Sequence, residues 1–135
     1  MSAACNLSGQ PVPAPSHSVL IVEDDVLVRT VAAAYLRECG FEVVEAGSAD
    51  EAIRVIRAAM VIDLVFSDIN MPGAMDGLAL ARWLRRERPE LPLILTSGAS
   101  RGPLGPDDLG ERGLFLAKPY DYPDLERRIR ALLAR

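Results

Sequence analysis

Five short apolar runs recur along this 135-residue chain, each halted by polar or charged residues and separated by stretches of helical spacing. They are Val19-Leu20-Ile21-Val22, Phe41 to Glu45 around Val43 and Val44, Leu64-Val65-Phe66, Leu93-Ile94-Leu95 and Leu114-Phe115-Leu116. Continuous apolar runs suit strands buried on both faces better than alternating ones would. Between them, Leu27, Val31, Ala34 and Tyr35 repeat at helical spacing until Gly40, placed where a helix C-terminus favours glycine. Ser48 with Glu51 makes a capping-box pattern before Ala52, Ile53 and Ile56. Leu80, Ala81 and Leu84 mark a third helix. Asp121 can cap a last one carrying Leu125, Ile129 and Leu132. Strands alternating with helices predict βαβ units: a doubly wound α/β fold on a five-stranded parallel sheet.

Two stretches depart from this rhythm. Residues 1–17 carry Pro11, Pro13 and Pro15 among small polar residues, a composition expected to form a flexible tail ahead of one domain over 18–135. Arg101 to Gly113 holds Gly102, Pro103, Gly105, Pro106 and Gly110 where a helix is due between the fourth and fifth strands. At roughly 1 kcal/mol per interior glycine and about 3 per proline, a degraded helix is expected, with one short turn near Pro106 to Glu111. Trp83, Arg85, Arg86 and Arg88 read as an ordinary solvated helix face.

Composition narrows the function. A net charge of −4 disfavours binding to a phosphate backbone, which needs a basic face. His17 is the one histidine, which nearly removes histidine triads and histidine-ligated zinc. Cys5 and Cys39 are too few for a disulfide framework, so a reducing, cytoplasmic setting is expected. Neither a signal peptide nor a membrane span is expected from the apolar patterning. Of the 15 basic residues, Lys118 is the one lysine; the others are all arginine.

Polar residues fall at the strand ends. Glu23 and Asp24 follow the first strand, Asp68 the third, Ser97 the fourth and Lys118 the fifth. In a parallel sheet these C-terminal ends share one edge, where ligands bind at the switch in strand order. Three carboxylates gathered there repel, so either one stays protonated or a cation sits between them. Oxygen donors without histidine suit a hard cation, Mg²⁺ first, with Mn²⁺ or Ca²⁺ behind it. Asp25 reads as a helix-start residue beside the site.

Four motifs in order, each at a strand end, resemble the receiver domain of two-component response regulators. They are Leu20-Ile21-Val22-Glu23-Asp24-Asp25, Ser67-Asp68-Ile69-Asn70-Met71-Pro72, Thr96-Ser97-Gly98 and Lys118-Pro119. The resemblance covers about residues 18–134 and implies a flavodoxin-like sheet of order 2-1-3-4-5. It implies that Asp68 is the phosphoacceptor. Glu23, Asp24, Asp68 and the backbone carbonyl of Asn70 would hold Mg²⁺. Lys118 would pair with Asp68 and then with a phosphoryl oxygen. Ser97, rather than the adjacent Thr96, would be the mobile switch hydroxyl, and Phe115 the aromatic coupled to it, though Phe115 is equally an ordinary core residue. The phosphoryl donor would be a histidine kinase or a histidine phosphotransfer protein.

The sequence departs from the family pattern in three places: one extra residue in Gly73-Ala74-Met75-Asp76-Gly77, serine at the switch position, and the degraded helix. Ala99, two residues past Ser97, cannot position a water, so slow loss of the phosphoryl group is expected. With the sequence ending at Arg135, a stand-alone receiver is expected, monomeric or dimerising on phosphorylation. It would signal to an unidentified protein partner or serve as a phosphorelay or phosphate sink. The rival readings are a receiver-like interaction scaffold that is never phosphorylated, a haloacid-dehalogenase-type phosphatase and a flavodoxin. Asn70 disfavours the phosphatase, whose second carboxylate would stand there; Glu23-Asp24-Asp25 would repel a flavin phosphate.

Overall fold

In the computed structural model, which describes residues 16–58, 60–98 and 109–134, the chain alternates strands and helices as the apolar rhythm predicts. The strands are β1 (Ser18–Val22), β2 (Glu42–Ala46), β3 (Leu64–Asp68), β4 (Leu93–Ser97) and β5 (Gly113–Ala117). The helices are α1 (Val26–Glu38), α2 (Ala49–Arg57), α3 (Gly77–Glu87) and α4 (Tyr122–Leu133). All strand pairs are parallel, in the order β2-β1-β3-β4-β5, the flavodoxin-like order the motifs imply.

Each of these four helices starts on a side chain that satisfies an otherwise unpaired backbone N–H. Asp25 accepts from Leu27 and Val28, Ser48 from Glu51, Asp76 from Ala79 and Asp121 from Asp124. The pleat then sorts the strand residues onto two cores. Leu20, Val22, Val65, Leu93 and Leu95 face α2 and α3; Val19, Ile21, Leu64, Phe66, Ile94 and Leu116 face α1 and α4. Both faces of the sheet are thus covered, which is why the centre of each strand is apolar.

Trp83 corrects the solvated-face expectation. It is 8% exposed, part of the α2–α3 core, and the Arg57 guanidinium lies 5.4 Å from its ring centre. Arg85 is half-buried as well, donating to the carbonyl oxygens of Leu91 and Leu109. Arg88 is half-buried beside Glu90, and Arg86 alone of the four is exposed. Residues 72–74 of the loop after β3 are exposed, and Gly73 takes a φ of 107° that L side chains rarely adopt. Residues 1–15, Ala99 and residues 101–108 lie outside the described residues, so the expected tail, the Ala99 position and most of the degraded helix are not described. Among the described residues no helix is long and apolar enough to cross a membrane.

Candidate functional site

The strand order reverses between β1 and β3, and the polar strand ends meet there. Asp68 is the last residue of β3 and is 6% exposed. Its Oδ1 accepts from the Asn70 backbone N–H at 3.1 Å, and its Oδ2 accepts from Lys118 Nζ at 3.1 Å. Lys118 immediately follows β5, and its backbone N–H donates to Ser97 O at 3.1 Å. That bond continues the β4–β5 ladder and sets the ammonium over Asp68.

Glu23 leaves β1 with its N–H bonded to Ala46 O at 3.0 Å, so its backbone continues the β1–β2 ladder. It is 7% exposed, and its Oε2 accepts from the Asp25 N–H at 3.0 Å. Arg29 of α1 donates to Glu23 O at 2.9 Å and to Glu45 Oε1 at 3.2 Å, pinning the β1–α1 turn. Asp24 beside it is exposed. One carboxylate oxygen from each of Glu23, Asp24 and Asp68 lies within 4.8 Å of the others. Burial, with added repulsion from Asp68, lifts the Glu23 carboxyl to about 7 against the pull of the Asp25 N–H and Lys118. A carboxyl held that high gains from any group that supplies positive charge. Three such oxygens at this spacing fit a hard divalent cation.

Ser97 ends β4, is 1% exposed, and its Oγ accepts from Asn70 Nδ2 at 2.7 Å. Thr96 is also buried, in register with Asp68, but its Oγ1 has no hydrogen-bond partner. The structure therefore brings Glu23, Asp24, Asp68, Asn70, Ser97 and Lys118 to one edge. Phe115 lies apart, half-buried against the α2–α3 core.

Three participants escaped the sequence reading. The Asn70 side chain joins the Asp68 loop to Ser97, whereas the family resemblance implies a role only for its backbone carbonyl. Tyr120 packs edge-on against Phe66 with ring centres 5.8 Å apart. Burial first, then Tyr122, Glu23 and Asp68, raise its phenol above the ordinary range, so it stays neutral beside the acids. Gly77 is the third: a Cβ there would stand 2.0 Å from Asp68 O, so the β3 end rests directly on the first turn of α3. The Asp-Gly pair at 76–77 was the available signal for that seat.

The response regulator receiver domain family matches residues 19–130. The transcriptional activator protein PfeR of Pseudomonas aeruginosa is 35% identical over 96% of this chain and 42% of its own length. The transcriptional regulatory protein ZraR of Escherichia coli is 31% identical over 86% of this chain and 26% of its own. The chain thus spans less than half the length of these two curated relatives. Among solved structures, a response regulator receiver protein from Pseudomonas putida superposes with a TM-score of 0.78 at 30% identity, covering 87% of this chain and 98% of that one. A CheY-like receiver domain protein from Methanospirillum hungatei superposes with a TM-score of 0.80 at 26% identity, covering 89% and 95%. With the fold, the strand order and the family match in agreement, this chain belongs to the response regulator receiver domains, signalling domains of two-component systems.

Proposed function

We propose that Asp68 accepts a phosphoryl group from a histidine kinase or histidine phosphotransfer protein, and that the domain then changes conformation to signal to a protein partner or to pass the group on. The observation that carries this reading is the setting of the Asp68 carboxylate. It is buried, fixed at Oδ1 by a backbone N–H and faced at Oδ2 by the chain's one lysine. In the transfer, one Asp68 oxygen forms the new O–P bond while the bond from phosphorus to the donor nitrogen breaks. The carboxylate serves as nucleophile, and the product is an acyl phosphate. Such transfers need in-line positioning and neutralised charge more than acid–base chemistry.

Glu23, Asp24, Asp68 and the Asn70 carbonyl would hold Mg²⁺, with Mn²⁺ as a substitute; bound there, it supplies positive charge for the phosphoryl oxygens. Lys118 supplies a compact second charge that can turn from Asp68 Oδ2 to a phosphoryl oxygen. Ser97 offers its hydroxyl as a hydrogen-bond donor to the same group. Phe115 would move with Ser97, since both belong to the β4–β5 ladder, where Phe115 is in register with Leu95. The output named for the curated relatives, transcriptional regulation, belongs to those longer proteins.

Incubation with Mg²⁺ and acetyl phosphate tests the reading. The expected product gains one phosphoryl mass that survives acid and is lost in base. No adduct on the wild type, or an undiminished adduct on Asp68→Asn, would sink it. Absence of any adduct alongside an intact fold would favour the interaction-scaffold reading.

A further inference from the structure

We propose that the Asn70 side chain is a latch on Ser97 that the phosphorylated state must break; the inference rests on the phosphoacceptor reading above. Asn70 makes two bonds that tie the two halves of the site together. Its backbone N–H holds Asp68 Oδ1 at 3.1 Å, and its Nδ2 holds Ser97 Oγ at 2.7 Å. The side-chain bond runs from an exposed asparagine to a buried serine, 1% exposed.

Serine makes this bond matter more than it would for threonine. A β-branched side chain is restricted at χ1 by its own methyl; serine lacks that restriction, so an external partner decides where its hydroxyl stands. Asn70 is one such partner, and it holds the hydroxyl toward the loop after β3. Turning toward a phosphoryl group on Asp68 exchanges the Asn70 bond for a new one. The trade is coupled to the reaction, because the residue that lets go of Ser97 is also bonded to the carboxylate being modified. Ser97 O in turn accepts from the Lys118 N–H, so its displacement reaches β5. Asn70 is therefore a positioning residue, acting through Ser97 as a brake on switching.

The test uses the full chain with Mg²⁺ and beryllofluoride, a tetrahedral stand-in for the phosphoryl group, titrated by ¹H–¹⁵N NMR. A typical intramolecular hydrogen bond, traded away, corresponds to about three- to tenfold in an equilibrium. Asn70→Ala is expected to bind beryllofluoride about three- to tenfold more tightly than the wild type. In a Ser97→Ala background the same substitution should change nothing, since the cycle isolates their interaction. Ser97→Thr should shrink the Asn70 effect, because the methyl takes over the positioning. A metal-free readout accompanies these: the Asn70 side-chain amide resonances should move to solvent-like positions in Ser97→Ala. Equal or weaker binding by Asn70→Ala, or an undiminished gain in the Ser97→Ala background, overturns the latch alone. Failure of the wild type to bind beryllofluoride overturns the phosphoacceptor reading, and the latch as a brake with it.

Discussion

Gly77→Ala should damage the fold and the site together, because the first residue of α3 is the seat of β3. A Cβ at position 77 would lie 2.0 Å from Asp68 O, 2.7 Å from Ile69 Cα and 2.8 Å from Asp68 C. Non-bonded heavy atoms settle roughly 3.5 Å apart, so the β3 end and α3 must separate by about 1 Å or more. No flexible side chain can yield, since all three neighbours are backbone. The opening threatens the bond from Gly77 N–H to Ile69 O and the one from Ile69 N–H to Thr96 O, both 2.9 Å. Overpacking typically costs about 1–3 kcal/mol, and each weakened hydrogen bond adds about 1. Helix propensity returns at most about 1 kcal/mol for alanine over glycine. The net expectation is a loss of about 2–4 kcal/mol, or a fall in Tm of roughly 8–15 °C for a domain of this size. Urea unfolding followed by far-UV circular dichroism reads it, with acetyl phosphate uptake measured in parallel. Gly73→Ala is the control: it meets no atom within 4 Å but has a φ of 107°, so it should lose about 1 kcal/mol and leave uptake intact. A Gly77→Ala protein within about 0.5 kcal/mol of wild type, with normal uptake, would refute the seat.

Thr96→Val should stabilise the protein by about 1 kcal/mol, because it removes a buried hydroxyl that has no partner; a loss of stability in thermal melts would contradict this. Lys118→Arg should keep phosphoryl uptake but impair the NMR-detected switch, since a planar fork cannot pivot as a compact ammonium does; wild-type switching would show that positive charge alone suffices at position 118. Without divalent cations, folding stability should fall as pH rises from about 4.5 to about 7. The folded state there holds a Glu23 proton that the unfolded chain has lost, an effect of about 3 kcal/mol. Adding Mg²⁺ should therefore stabilise more at pH 8 than at pH 5, and denaturation curves showing the opposite order would exclude Glu23 as a ligand. Leu125→Ala, at a fully buried position of α4, should cost about 2–5 kcal/mol in urea unfolding.

What could be read from the sequence was whatever is encoded locally. A helix cap is a bond between residues two or three apart, so Asp25, Ser48 and Asp121 announced their helices in advance. A strand buried on both faces is an apolar run, and the polar residue ending it marks the functional edge. Trp83 and Arg85 were misread because their cover is distant in the chain. Arg57 of α2 lies over the tryptophan, and Arg85 reaches the carbonyls of Leu91 and Leu109. A backbone carbonyl in need of a donor has no sequence signature. The same holds for the Asn70 side chain, whose partner lies 27 residues away on another strand.

Charge balance explains why one lysine stands where arginine supplies every other basic side chain. Arg29, the cation on the α1 side of the crevice, spends its fork on Glu23 O and Glu45, not on the clustered carboxylates. Lys118 therefore meets Asp68 and acts on Glu23 as the one ammonium there among the described residues, and the cluster remains over-charged whenever all three carboxylates are ionised. Protonating Glu23 and binding a divalent cation are two ways of relieving the same excess, so each should oppose the other. A guanidinium in place of Lys118 would fix both Asp68 oxygens in one plane and compete with the Asn70 N–H for Oδ1. An ammonium bonds Oδ2 alone, leaves Oδ1 to the backbone, and stays able to follow charge to a new oxygen. The lone lysine is thus the residue type that this crevice needs if its charge is to move.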